Sequence, residues 1–193
     1  MVMKTIFLDH DGVICLSNNW GGRKKKWARY RSTNPGSSKY LNEAPVDVRF
    51  DDFDKKSIKV LNEILNETGA EIVVSSDWRF HATLEELGDY YKSQGICKKP
   101  IAFTDNRLPQ SLKFFNPYTY LEETRSYEIL DWLGKHPEVT HWVAVDDLNM
   151  SEKFGDVSGG YRWGLNNFVW TPKPKEGIKQ CGVKEKIINF LNK

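Results

Sequence analysis

Residues 4–13, KTIFLDHDGV, constrain this chain more than any other stretch, because an apolar strand there runs into two aspartates one residue apart. Ile6, Phe7 and Leu8 form the continuous apolar run of a buried strand, and Gly12 lets the chain turn after the second carboxylate without a Cβ penalty. Asp9 and Asp11 are therefore expected at the carboxyl end of a strand. In open α/β sheets that edge is where ligands bind. By strand alternation the side chain of His10, between them, should point away and take no part.

The pattern of strand, polar end and helix recurs. Residues 54–68 carry Ile58, Leu61, Ile64 and Leu65 at three- and four-residue spacing, with Asp54 placed to cap the start and Gly69 the end, which predicts an amphipathic helix. Residues 70–75, AEIVVS, read as a second buried strand that finishes on Ser75, Ser76, Asp77, Trp78 and Arg79. A helix over 82–93 and a short strand at 101–103 follow. Asn106, Pro109 and Pro117 mark residues 104–119 as a long loop. A helix over 124–136, with Ile129, Leu130 and Leu133 inward and Pro137 as its stop, leads to a strand at 141–145 ending on Asp146 and Asp147. A strand at 167–170 and a helix at 183–191 close the chain. Strands alternating with helices through right-handed crossovers predict one α/β domain, 1–193, with a Rossmann-like, doubly wound, mainly parallel five-stranded sheet.

Residues 14–52 break this pattern. They are polar and basic, through Arg23, Lys24, Lys25, Lys26, Arg29, Arg31 and Lys39, with Trp20, Trp27, Tyr30 and Tyr40 interleaved and no acidic residue between Asp11 and Glu43. The stretch reads as a cap or flap inserted after the first strand, lying over the site and outside the core. The whole chain has a net charge of only +2, so attraction to a polyanion must come from such local clustering. Length, 193 residues, and 39% hydrophobic content suit one soluble globular domain. Cys15, Cys97 and Cys181 are odd in number and far apart, which argues against a disulfide framework and for a reducing, cytoplasmic setting. No apolar run approaches the roughly 18 residues of a membrane span.

Three strand ends thus present Asp9 with Asp11, Ser75 through Arg79, and Asp146 with Asp147. Along one edge of a parallel sheet four carboxylates repel one another and resist ionisation unless a cation neutralises them, and an all-oxygen ligand set suits Mg2+.

DHDGV at 9–13, the strand ending in Ser75, a basic residue at Arg125 and the strand ending in Asp146 and Asp147 resemble the four ordered motifs of the haloacid dehalogenase (HAD) superfamily. More narrowly, ETGAEIVVSSDWR, RSYEILDWL, HWVAVDD and NFVWTPKPKEGI are similar to the HAD domains of Swiss Army Knife RNA-repair proteins. A further likeness is to the 3′-phosphatase half of bacteriophage polynucleotide kinase-phosphatases, although no P-loop and hence no kinase half is present.

The resemblance implies a phosphatase in which Asp9 attacks phosphorus to form an aspartyl-phosphate and Asp11 serves as general acid and base. Mg2+ would be held by Asp9, the backbone carbonyl of Asp11, and Asp146 and Asp147, with the direct ligand of the last pair left open. Ser75 would bind a phosphoryl oxygen, with Ser76 beside it, and Arg79 is a further candidate for substrate phosphate. Arg125 would bridge phosphoryl group and nucleophile, with Lys113 and Lys135 as competitors. Arg23, Lys24 and Lys26, among stackable aromatics, suit phosphates of an RNA or DNA end. The expected reaction is removal of a terminal 3′ phosphate from nucleic acid. The alternatives are a phosphatase of nucleotides or other small metabolites, and a non-catalytic nucleic-acid-binding module that keeps the fold.

Overall fold

The computed structural model describes residues 3–36, 40–105, 120–155 and 163–193. Its strands are β1 (Met3–Leu8), β2 (Glu71–Val74), β3 (Ala102–Phe103), β4 (Val139–Asp146) and β5 (Phe168–Trp170). They form one sheet in the order β3-β2-β1-β4-β5, with every pairing parallel. The helices are α1 (Gly22–Thr33), α2 (Val46–Arg49), α3 (Lys55–Thr68), α4 (Leu84–Gln94), α5 (Tyr120–Lys135), α6 (Glu152–Gly155) and α7 (Val183–Leu191). The expected Rossmann-like α/β fold is the one observed.

Alternation along the strands explains why the apolar runs are continuous. Ile6 and Leu8 of β1, Ile72 and Val74 of β2, and Val143 and Val145 of β4 pack with α3, α4 and α7 on one face. Phe7, Val73 and Ala144 pack on the other with Ile129 and Trp132 of α5. The Phe7 and Trp132 rings meet edge-on at 5.4 Å. From β1 the chain winds to β2 and β3 on one side, then returns through α5 to place β4 on the other. The crevice at this reversal lies at the carboxyl ends of β1 and β4, where an open sheet binds its ligand.

The helix ends obey local chemistry. Asp54 accepts from the Ser57 N–H at 2.8 Å at the start of α3, and Gly69, at φ 71°, takes the left-handed turn that ends it. Thr83 and Glu86 form a reciprocal capping box at α4. α5 departs from expectation, starting at Tyr120 rather than near residue 124, and Leu130 is 39% exposed rather than inward. Its buried face carries Glu123, Arg125, Ser126 and Glu128 beside Ile129 and Trp132, so an apolar periodicity alone misplaces it. The loop expected at 104–119 lies outside the described residues from position 106 onward.

Burial divides residues 14–52. Ile14, Cys15, Leu16, Val48 and Phe50 are buried at its two ends, whereas none of the twelve residues of α1 is buried. α1 is capped from a distance: Asp51 accepts from the N–H of Gly21 at 3.1 Å and of Arg23 at 2.6 Å. Among the described residues no helix is long and apolar enough to cross a membrane.

Candidate active site

β1 and β4 deliver their carboxylates side by side. The Asp9 N–H donates to Val145 O at 3.1 Å, which continues the ladder one residue past β1 and holds Asp9 against the end of β4. Asp9 shares the parity of Phe7 and so faces α5, where the Arg125 guanidinium waits. Arg125 donates through Nη1 to Asp9 Oδ1 at 3.0 Å and to Asp146 Oδ2 at 3.1 Å, and through Nη2 to Asp77 Oδ1 at 2.9 Å. The arginine thus ties the ends of β1, β2 and β4 together. Of its competitors, Lys113 lies outside the described residues, and Lys135 is an exposed partner of Asp105 and Asp131.

Burial pushes Asp9 above the usual carboxylate range, the Asp11 charge adds to this, and Arg125 opposes it without cancelling it. Asp146 is raised further, first by burial and then by Asp9. Burial and the Asp9 and Asp11 charges push Asp147 up to about 6. Ligand atoms of Asp9, Asp146 and Asp147 all lie within 4.8 Å of one another. Three hard oxygen donors that resist ionising together fit a divalent cation such as Mg2+, whose charge would reverse the penalty. Both oxygens of Asp146 are engaged, Oδ1 by the Leu148 N–H at 2.9 Å and Oδ2 by Arg125. Asp147 lies against Gly12, where any Cβ would overlap its carboxylate and where φ is +73°. Glycine at that position is required twice over.

Asp11 lines the same cleft. Its Oδ2 accepts from the Trp78 indole N–H at 2.9 Å. Burial pushes its pKa up, opposed by hydrogen bonds from Trp78 and Cys15 and by the charge of Arg23. Among the described residues, the carboxylate group that could hold a metal through side chains is Asp9, Asp146 and Asp147, without Asp11. Cys15 remains a thiol, because burial and the nearby carboxylates drive its pKa far upward. His10 is fully buried on the opposite face, 2.6 Å from the Tyr91 hydroxyl, and burial together with Arg125 lowers its pKa to about 3. It is a neutral core residue here, as alternation predicts.

The cleft has a volume of about 170 Å3 and is walled by Asp9, Asp11, Asp146 and Asp147, by Ser76, Asp77 and Arg125, and by Leu121 and Leu148. Of the two serines expected here, Ser76 lines the cleft and Ser75 does not. The Ser75 N–H still bonds Leu8 O at 3.1 Å, so Ser75 belongs to the sheet and its Oγ is buried without a partner. One residue later the chain leaves the sheet, and Ser76 is the first side chain to reach the cleft and Asp9.

Arg79 is also reassigned. Its guanidinium is buried, donating to Glu128 Oε2 at 2.7 Å and to the carbonyls of Ser75 and Ser76 at 2.8 and 3.0 Å, so it shapes the turn and does not line the cleft. Lys26 is likewise committed, to the carbonyls of Asp47 and Phe50 and to Asp52. Lys24 is exposed on α1, and Arg23 lines a separate cavity of about 410 Å3 with Tyr40, Leu41, Arg49 and His81. Sequence reasoning missed the contacts of Asp77 with Arg125 and of Trp78 and Cys15 with Asp11. The only signal for them was their place directly after a strand end or after DHDGV.

A doubly wound parallel sheet with an arginine-bridged carboxylate at β1, a hydroxyl at β2 and paired aspartates at β4 defines a HAD-type fold and site. The sequence model of the HAD domain in Swiss Army Knife RNA repair proteins matches residues 5–180, and the chain belongs to that family. No curated protein and no solved structure matches it. Membership points to a hydrolase of the phosphatase type.

Proposed function

We propose that the protein is a Mg2+-dependent phosphomonoesterase that removes a terminal phosphate, of the 3′ kind, from RNA or DNA ends. The observation that carries the reading is the Asp9–Arg125–Asp146 bridge beside Asp147, an anion-binding guanidinium and a set of cation-binding oxygens on one nucleophile. Asp9 attacks phosphorus, a new P–O bond forms, and the bond to the sugar oxygen breaks. Asp11, whose raised pKa favours the protonated acid, gives its proton to that oxygen as it leaves. Asp11 then takes a proton from water, which attacks the aspartyl-phosphate and releases inorganic phosphate. Arg125 and Ser76 orient the phosphoryl oxygens, and Asp77 keeps Arg125 aimed. Asp9 and Asp147 would hold Mg2+ with the Asp11 carbonyl, Asp146 supporting through Arg125; the ion would neutralise the charge between nucleophile and phosphoryl group.

The polymer part of the reading is supported by the small cleft and by α1. A cleft of about 170 Å3 falls below the ~300 Å3 at which pockets for whole small ligands begin, so a phosphoryl group enters while the rest of the substrate lies outside. The exposed basic helix α1, with Trp27 and Tyr30 stacked at 6.0 Å, offers charge and ring faces for a nucleic-acid strand. The decisive measurement is phosphate release with Mg2+ from end-labelled RNA and DNA carrying 3′ or 5′ phosphate, beside mononucleotides, by wild type and Asp9→Asn. Release from 3′-phosphorylated oligonucleotides that is absent in Asp9→Asn is expected. Turnover of mononucleotides alone would replace this reading with a compact-nucleotide one, which the 410 Å3 cavity beside Arg23 favours.

A further inference from the structure

The side chain of Trp170 is tethered to Asp147, a residue of the cleft wall, and no step of the proposed reaction uses it. It ends β5, is 45% exposed, and donates its indole N–H to the main-chain oxygen of Asp147 at 2.9 Å. With its one polar atom turned inward, the exposed part of the side chain is apolar π surface. The backbone beneath it is fixed as well. Thr171 is fully buried, its N–H bonded to Asp146 O at 2.9 Å and its hydroxyl to Gly12 O at 3.3 Å. Trp170 is thereby tied directly to Asp147 and, through its neighbour Thr171, to Asp146 and the Gly12 turn. Exposed Lys173 and Lys175 follow it in the chain, Lys173 paired with Glu176 at 3.3 Å.

We infer that Trp170 is a stacking platform for the nucleobase of the nucleoside that bears the scissile phosphate. The inference rests on the nucleic-acid reading above and adds to it the surface that recognises the base. A π platform accepts any base, since each has a π face, so it selects nucleosides over other phosphate esters without selecting sequence. Its rigid seat means the base is met by a surface already in place, with little side-chain entropy lost on binding.

The test is a cycle of two proteins and two substrates: wild type and Trp170→Leu, each acting on a 3′-phosphorylated oligonucleotide whose last residue carries a base or is abasic. For the wild type, removing the base should raise KM by roughly 5- to 150-fold, the range that base–aromatic stacking covers. Trp170→Leu should lose that discrimination, and Trp170→Phe, which keeps a ring face without the N–H tether, should restore most of it. A role confined to supporting Asp147 would lower kcat on both substrates alike and leave the discrimination intact, which overturns the inference. A wild type that turns over oligonucleotides but ignores the base overturns it too, while the proposed function stands. A wild type that releases phosphate from no oligonucleotide overturns both.

Discussion

Arg125 is the residue on which the site's electrostatics turn. It is buried with Asp9 and Asp146, and although burial lowers the pKa of a guanidinium, Asp146, Asp9 and Asp77 outweigh it and keep Arg125 charged. Removing one partner of a buried ion pair costs about 3–5 kcal/mol, because the remaining charges are left uncompensated. Arg125→Ala should therefore lower the unfolding free energy by about that amount, and Mg2+ should recover part of the loss by supplying the missing positive charge. Denaturant melts with and without Mg2+ check this; an equal loss under both conditions would show that the ion does not share these carboxylates. Arg125 could be picked out in the sequence by its context, but Arg79 and Lys26 could not be set aside there. Their partners, Glu128 and Asp52, lie 49 and 26 residues away and become neighbours only in the fold. Ser75 and Ser76 were ambiguous for another reason, since two adjacent serines are separated only by where the chain leaves the sheet.

At the scale of elements, the strands and the helices α3, α4 and α7 could be read from periodicity and caps because they pack apolar faces on a sheet. α1 could not. It has no apolar face, no acidic residue in its first turn and no cap from Gly21 itself; Asp51, about thirty residues on, binds its free N–H groups. Of the three lysines on this helix, Lys24 and Lys26 should behave differently. A lysine that neutralises one phosphate contributes about one unit to the slope of log K against log salt. Lys24→Ala should reduce the slope of oligonucleotide binding by about one, whereas Lys26→Ala should leave it nearly unchanged, because Lys26 is already engaged by Asp52 and two carbonyls. Fluorescence-anisotropy titrations at several salt concentrations distinguish the two, and equal slopes for both variants would remove α1 from the binding surface.

For the whole molecule, a cation held by Asp9, Asp146 and Asp147 would join the ends of β1 and β4 and so link the two halves into which the sheet is wound. A ligand that binds only the folded state adds about 2.7 kcal/mol at one hundred times its Kd. Mg2+ at that excess should raise Tm by roughly 5–10 °C for a chain of this length. Chelation with EDTA should reverse the rise, and Asp147→Asn should abolish it. A rise of the same size in Asp147→Asn would place the ion elsewhere. The fold and the three polar strand ends could be read from the chain because parallel topology brings those ends to one edge of the sheet. How the side chains share hydrogen bonds there depends on turns that no periodicity encodes.

The absence of buried residues in α1 has a consequence for the history of such a molecule. Surface substitutions away from caps and buried groups alter stability by about 0.5 kcal/mol or less. A lineage can therefore change the outward face of α1 many times without threatening the fold, provided that Asp51 and Lys26 keep it seated. The strand-end cleft leaves less room for such drift, since a Cβ at Gly12 would overlap the Asp147 carboxylate and Arg125 is bound to both Asp9 and Asp146. Descendants of one ancestor would then diverge first in what they accept and last in what they do to it.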